Sequence, residues 1–382
     1  MSKLHLLPLL LFCTTSLHTC LPAQEPQRRS ANSDNLVDDQ VRAAVDRGLA
    51  YLASTQDKQG HWAQLVGYKL NSDYETTEDN PLPHVGVTAL ALISFLAGGH
   101  LPDRGKYGEV IARGLQYVMS CSQDDGQITQ HGTRMYSHAF ATLLLAEIYG
   151  MANRPDVRDV LQRSVNLIVD SQNAEGGWRY RPFARESDMS ITVCQVLALR
   201  SARNVGIHVP VQSVRNAQNY VYRSAVRSNE RTGFRSFGNR GYSDEGGSFR
   251  YQLKPQTRAD FPLTAAGVTT LYAAGEYDNP IIHDALDYLD RELITFNNNT
   301  SEGAEGAHYF FFYGHYYAVQ AYYITGGNQW RRYYTEMKTR LLHMQESDGS
   351  WRNSPGPGSS FGTAVATLIL QIPLQYLPIF QR

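Results

Sequence analysis

The chain alternates between two kinds of predicted helix, which differ in where their polar residues lie. One kind is amphipathic, with aliphatic side chains on one face and Arg, Asp, Lys or Gln on the other. Segments with this pattern are 41–54, 110–122, 159–171, 213–227, 281–293 and 330–345. The other kind is apolar nearly all round and follows each amphipathic segment, at 84–97, 137–149, 190–202, 263–275, 315–325 and 361–374.

A helix without a polar face must be surrounded by protein, so we expect the apolar segments inside the fold. The pattern predicts an all-α protein, a single α/α toroid of about six helical hairpins, each pairing an outer amphipathic helix with a buried inner one. The last inner segment continues to Ile379 and Phe380 without becoming polar. An open solenoid would need a polar cap there, which favours a closed ring.

A repeated phrase follows the outer helices: a Gln, a short turn with Gly, and then an aromatic or apolar residue. Its copies are Gln56-Gly60-Trp62, Gln123-Gly126-Ile128, Gln172-Gly176-Trp178 and Gln345-Gly349-Trp351. A period of roughly 50 residues indicates stacked supersecondary units. We predict structural roles: the Gln amide pairs with carbonyls ending one helix and N–H groups beginning the next, Gly supplies a positive φ, and Trp fills the gap between hairpins.

The first residues are typical of an export signal. Lys3 precedes an apolar stretch at 6–12 that is too short to span a membrane. We predict a signal peptide at 1–23, a polar leader at 24–40 and the toroid at 41–382, in a periplasmic or extracellular protein without a transmembrane span. Lipid attachment at Cys20 is the less favoured alternative, because residues 17–19 match that signal poorly.

Composition narrows the possible partners. Hydrophobic residues make up 42% of the chain, and 35 basic residues balance 36 acidic ones. This balance, with no basic stripe, argues against nucleic-acid binding. The mature chain keeps only Cys121 and Cys194, which we interpret as buried small hydrophobes rather than a disulfide framework.

The candidate catalytic and binding residues lie where the inner helices begin. If the hairpins alternate in direction, all inner N-termini meet at one mouth of the ring, each with a partial positive charge. The polar and aromatic residues at these starts are His84, Tyr136, His138, Asp188, Asp260, His308 and His315. Asp is also a favoured N-cap, so a purely structural role for both aspartates stays open. Insertions at 70–83, 228–260 and 297–306 are typical of binding loops.

An aromatic run surrounds His315 and includes Tyr313, Tyr316 and Tyr317. An aromatic cavity with a few acids and imidazoles suits a polyisoprenoid cation through cation–π attraction, or a sugar ring through stacking. Simple core packing is the alternative for the same side chains.

The phrase running from Arg47-Gly48 through Gln56 to Gly60-His61-Trp62 resembles the glutamine–tryptophan repeat of squalene–hopene and oxidosqualene cyclases. Related repeats build the β subunits of protein prenyltransferases. The resemblance covers nearly the whole mature chain and implies the toroid fold. The chain has room for one such domain, whereas full-length triterpene cyclases have two.

The catalytic motifs of these families are incomplete here. Bacterial triterpene cyclases carry Asp-x-Asp-Asp-Thr, whose middle Asp protonates the alkene; residues 188–192 keep the outer Asp188 and Thr192 but place Ser190 at the proton donor. Protein prenyltransferases bind zinc through Asp-x-Cys and a His. Asp260 and His315 resemble that set, with Pro262 at the thiolate position. We therefore expect no metal and no cofactor.

Three functions fit these observations. The first is an exported terpenoid-cyclase-like toroid that holds an apolar or polyprenyl-type ligand. Any catalysis would use Asp188 and Asp260 as acid or electrostatic groups and His315 as base or ligand, with His84, Tyr136, His138, Tyr313 and Tyr316 around the bound molecule. The second is a carbohydrate-active toroid, a lyase or hydrolase, which adds Arg179, Tyr180 and Tyr251. The third is a non-catalytic protein-binding scaffold with a filled centre.

Overall fold

In the computed structural model, residues 36–67, 80–227, 246–254, 257–298, 310–353 and 356–381 are described. The predicted signal peptide, Cys20 and His308 lie outside these residues, as do most of the leader and much of the three insertions. The described chain is mostly helical, with one two-stranded antiparallel pairing of β1 (Ala63–Gln64) with β2 (Leu82–Pro83).

Six amphipathic helices form the outer layer, as the polar pattern predicts. They are α1 (Asp39–Thr55), α3 (Gly108–Ser120), α5 (Val157–Asp170), α7 (Val211–Ser224), α9 (Pro280–Asn298) and α11 (Gly327–Met344). Six apolar helices form the inner layer: α2 (Val85–Ala97), α4 (Met135–Met151), α6 (Met189–Asn204), α8 (Phe261–Ala273), α10 (Phe311–Thr325) and α12 (Ser359–Gln371). Every residue of α2 is buried, as a helix without a polar face requires.

The inner layer closes into a ring. Each inner helix packs on the next in chain order from α2 to α12, and α12 packs back on α2. The seam of the ring is the place where the first and last repeats meet. There, α1 packs on α11 and α12, so the first outer helix completes the last repeat. The prediction of a closed α/α toroid is therefore confirmed.

The repeated turns join neighbouring outer helices. The Gln172 amide nitrogen donates to the carbonyls of Gly176 and Ser213, both at 2.8 Å, and Ser213 lies in the next outer helix. At the seam, Gln345 donates in the same way to Gly349 (3.0 Å) and to Ala44 of α1 (2.8 Å). The prediction that the Gln oxygen accepts hydrogen bonds from backbone N–H groups is wrong at both turns. Side chains of the next helix donate to this oxygen instead, Asn216 to Gln172 and Arg47 to Gln345.

The turn glycine and the tryptophan complete each joint. Gly176 has φ +94°, and a Cβ there would lie 2.3 Å from the Asn216 carbonyl oxygen of the next outer helix. Trp178 is buried, and its indole N–H donates to the Ile168 carbonyl at 2.7 Å. Trp351 makes the equivalent bond to Leu341 at 2.8 Å. The close approach requires glycine at the turn, whereas the buried position after it is filled by Trp in three repeats and by Ile128 and Phe249 in two others.

Candidate functional site

One cavity of about 380 Å³ opens where the inner helices begin. Residues from the first turns of α2, α4, α6, α10 and α12 line it, together with the loops before α4, α6 and α8. Its aromatic walls consist of Tyr136, Phe140, Tyr180, Tyr251, Phe310, Tyr313, Tyr316, Tyr317 and Phe361. The common rim that the alternating hairpins predict is thus the place where a pocket forms.

Two loop tyrosines are held over the mouth by the helices beneath them. The Tyr180 carbonyl accepts the N–H of Met135 at the start of α4 (3.1 Å), and the Tyr251 carbonyl accepts the N–H of Met189 at the start of α6 (2.9 Å). Their hydroxyls bond each other at 2.8 Å. Each loop therefore satisfies an open helix start and at the same time fixes a tyrosine in the cavity wall.

Asp188 is the N-cap of α6 and lies directly behind the wall. Its Oδ1 accepts the Ile191 N–H (2.9 Å) and the Ser190 hydroxyl (2.7 Å), and its Oδ2 accepts the Tyr251 hydroxyl (3.3 Å). Burial raises its pKa to about 6, although these bonds and the nearby Arg179 guanidinium favour the charged form. Ser190 and Tyr251 line the cavity while Asp188 itself does not.

Asp260 is the corresponding N-cap of α8. Its Oδ1 accepts the Leu263 N–H at 3.0 Å, and its Oδ2 lies 3.8 Å from Nε of Arg258. Burial raises its pKa, with Arg258 opposing. This Oδ2 has no hydrogen-bond partner among the described residues. Both aspartates are thus structural caps, and their predicted chemistry stays a prediction.

The two histidines of the first hairpins have different positions. His84 caps α2 through Nδ1, which accepts the Val87 N–H at 3.3 Å, and it lines the cavity. His138 does not line the cavity: its Nδ1 accepts the Ile128 N–H (3.0 Å), and its Nε2 donates to the Ser164 carbonyl (3.2 Å). Burial lowers the pKa of both imidazoles to about 4.

The position of His138 has a structural explanation. At the equivalent point of α6, the Thr192 hydroxyl accepts the backbone N–H of Trp178 (3.3 Å). In three other repeats, a threonine hydroxyl likewise accepts the backbone N–H of the aromatic residue that follows the turn; these threonines are Thr88, Thr264 and Thr363. His138 therefore replaces a threonine that fastens each turn to its inner helix, which accounts for its burial without a ligand.

His315 lies outside the cavity lining. Its Nε2 bonds Asn297 at 2.7 Å and its Nδ1 bonds the Tyr333 hydroxyl at 2.9 Å, on α9 and α11 of the outer layer. Burial lowers its pKa to about 3. A base with both nitrogens engaged by the outer layer is not positioned to meet a ligand in the cavity. Among the described residues, no three His, Cys, Asp or Glu side chains form a potential metal site.

The structure thus gathers seven of the predicted residues in one lining: His84, Tyr136, Arg179, Tyr180, Tyr251, Tyr313 and Tyr316. Sequence reasoning missed the lining residues Arg134, Arg258 and Phe140. Arg134 is the N-cap residue of α4 and Arg258 lies two residues before the Asp260 cap. Proximity to a helix start was the one signal that could have found the two arginines.

The opposite end of the ring has a second, smaller cavity of about 220 Å³. The last turns of α6, α8 and α10 line it, with the C-terminal residues Ile379, Phe380 and Gln381 as one wall. Glu147 fastens this wall by accepting the Ile379 N–H at 3.3 Å.

None of the helices in the described ranges has the length and apolar composition needed to cross a membrane. Cys121 and Cys194 are both buried and unbonded to each other.

Comparison with known proteins supports the fold. No protein-family model matches the chain, and no curated protein matches it in sequence. Among solved structures it is similar to the type II terpene cyclase MstE from Scytonema, with a TM-score of 0.59, 12% identity and coverage of 89% of this chain and 100% of that one. It is also similar to an α-1,6-mannanase of Salegentibacter sp. HEL1_6 (TM-score 0.61, 9% identity, 87% and 98% covered) and to a D-mannose isomerase (0.58, 12%, 88% and 98%). At these identities the likeness establishes an α/α toroid and no particular reaction.

Proposed function

We propose that this chain is an exported, terpenoid-cyclase-like toroid that binds one largely apolar, polyprenyl-type ligand in the aromatic cavity. The observation that carries the proposal is the cavity itself, about 380 Å³ with walls that are mainly aromatic and aliphatic. Small-molecule sites have volumes of roughly 300–1,000 Å³ and a similar lining. MstE, which shares the fold, was solved with geranylgeranyl dihydroxybenzoate.

A binding role fits the site better than alkene protonation. Ser190 lines the cavity where a cyclase would have its proton donor, and a serine hydroxyl is too weak an acid for that step. Asp188 is fully buried and does not line the cavity; it bonds the lining residues Ser190 and Tyr251 and lies 3.8 Å from the lining residue Arg179. We therefore propose that the cavity binds a ligand, and we do not propose proton-initiated cyclisation.

The two other functions have less support. Glycoside hydrolysis uses two carboxylates that flank the bond to be broken, and the described residues of the lining include no Asp or Glu. A protein-binding scaffold predicts a filled centre, which the open cavity does not favour.

Two engineered tryptophans can test the proposal. The four native tryptophans, Trp62, Trp178, Trp330 and Trp351, are all buried, so their emission provides a steady background. Phe140→Trp places a reporter in the aromatic cavity, and Ile324→Trp places a matched reporter in the second cavity at the other end of the ring. Both positions are partly exposed on inner helices, so either can accept the larger ring.

Farnesol, a neutral isoprenoid alcohol, and mannotriose are then titrated into both variants. The proposal predicts a saturable change in Phe140→Trp emission with farnesol and none in Ile324→Trp. A response to mannotriose alone would replace the proposal with the carbohydrate alternative. No response of Phe140→Trp to either probe would overturn the proposed ligand class and favour the scaffold.

Export is part of the same proposal and has its own test. We expect cleavage after Ala23 when the full chain is expressed in a bacterium with a periplasm. Intact-mass measurement of the periplasmic fraction should give the chain that begins at Gln24. A lipid-modified Cys20, or full-length protein in the cytoplasm, would contradict it.

A further inference from the structure

Three arginines stand at the mouth of the aromatic cavity. Arg134 is the N-cap residue of α4, Arg179 lies in the loop before α6, and Arg258 lies in the loop before α8. They therefore come from three successive repeats. The described part of the lining has these three cationic side chains and no carboxylate.

Two of these arginines are held by a buried cap and stacked on an aromatic ring. Arg258 lies 3.8 Å from Asp260 Oδ2, with its guanidinium carbon 4.9 Å from the ring centre of Tyr251 and 4.6 Å from that of Phe310. Arg179 lies 3.8 Å from Asp188 Oδ2, pairs with Glu186, and has its guanidinium carbon 5.9 Å from the ring centre of Tyr180. A guanidinium packed against rings in this way is preorganised, so little conformational entropy is lost when it binds an anion.

Among the described residues, charged side chains at the mouth include four cations and three carboxylates. The cations around it are Arg134, Arg179, Lys254 and Arg258, and the carboxylates are Glu186, Asp188 and Asp260. The inner helices also direct their N-terminal N–H groups to this end, which adds partial positive charge. A neutral hydrocarbon would not need this arrangement.

Unpaired hydroxyls in the wall point to a polar group on the ligand. Tyr313 and Tyr317 line the cavity, and neither hydroxyl has a hydrogen-bond partner among the described residues. Tyr317 is completely buried. A buried polar group without a partner has lost its hydrogen bonds to water, and a ligand oxygen would replace them.

We infer that the ligand is an amphiphile with a single anionic head group, a carboxylate or a phosphate, held at the mouth by Arg134, Arg179 and Arg258 while its apolar part lies among the aromatic side chains. This inference rests on the proposed function and specifies its ligand class. Arginine suits both anions because its planar fork of donors matches their oxygen geometry.

The test compares three probes with the same tail: farnesol, farnesoic acid and farnesyl monophosphate. Affinities are measured by the emission of the Phe140→Trp reporter. We expect at least one of the two anions to bind about tenfold or more tightly than the alcohol, as a charge-assisted pair would provide. Whichever anion binds better identifies the head group as carboxylate or phosphate.

Variants in the reporter background locate the head group. Arg258→Gln should weaken binding of the preferred anion about tenfold and leave farnesol unchanged, whereas Arg258→Lys should retain part of the preference. Arg223→Gln, on the exposed face of α7, is the matched control and should have no effect. If the anion binds more tightly than farnesol but Arg258→Gln does not weaken its binding, the assignment of the head group to the arginines is overturned.

The outcomes separate the inference from the proposal beneath it. Equal affinity for all three probes would overturn the anionic head group and leave the apolar site intact. No response to any probe would overturn both.

Discussion

Removal of Trp351 tests whether the ring is closed at its seam. This side chain is fully buried between the last repeat and the first outer helix. A Cβ added to Gly48 of α1 would lie 2.9 Å from its Cζ3, and its indole N–H donates to Leu341 at 2.8 Å. Trp351 therefore contacts both the first outer helix, α1, and the last outer helix, α11.

The expected loss for Trp351→Ala follows from this packing. Replacing a buried Trp by Ala typically costs 3–5 kcal/mol, because the transfer free energy is lost and a cavity remains. Trp178→Ala removes an equally buried ring from the middle of the array, with the same type of indole bond. In a closed ring both variants should lose stability within the same range of about 3–5 kcal/mol.

Urea unfolding followed by helix circular dichroism measures both free energies of unfolding. Phe183→Ala, at a side chain that is 66% exposed, is the control and should change stability by less than about 0.5 kcal/mol. The reasoning is refuted if Trp178→Ala loses more than about 3 kcal/mol while Trp351→Ala loses less than about 1 kcal/mol. That result would mean that the last repeat is a free end.

Further predictions concern the joints and the buried polar groups. Burial raises the pKa of Glu147 to about 7, so the stability from its protonated form is present below pH 4.5 and lost as the pH rises through 7. Glu147→Gln should match the wild type at pH 4 and exceed it by up to about 3 kcal/mol at pH 8 in urea unfolding. His138→Thr should lower the free energy of unfolding by about 1–3 kcal/mol because the bond to Ser164 is lost. In the Phe140→Trp background, His138→Thr should change the farnesol affinity by no more than about twofold, and a larger change would mean that His138 belongs to the binding site. Gly176→Ala should lose clearly more stability than Gly206→Ala: both have positive φ, but a Cβ at Gly206 meets nothing within 4 Å. Equal losses would contradict the close approach at the joint.

The ring could be predicted because it depends on patterns that each segment carries by itself. The apolar circumference of 84–97 and its counterparts requires burial on every side, and only an inner layer provides this. The Gln172 and Gly176 contacts also follow from local chemistry, although the Gln oxygen pairs with side chains rather than with the expected N–H groups.

The site was harder to predict, because it depends on which way a side chain points. His138 and His315 lie near helix starts in the sequence, yet both face the outer layer. A helix that is apolar all round has no polar stripe to reveal its orientation. The arginines were missed for a different reason. Arg258 lies in the loop before α8, whose path is set by pairing within the loop itself, where the Tyr251 N–H donates to the Arg258 carbonyl at 2.9 Å.

A crystal structure of the protein with farnesoic acid at saturating concentration would test the central claim most directly. The account predicts the apolar chain beside Phe140 and Tyr316, with the carboxylate within about 3 Å of the Arg258 guanidinium. A ligand found in the second cavity beside Phe380, or an aromatic cavity that stays empty of the acid, would contradict it.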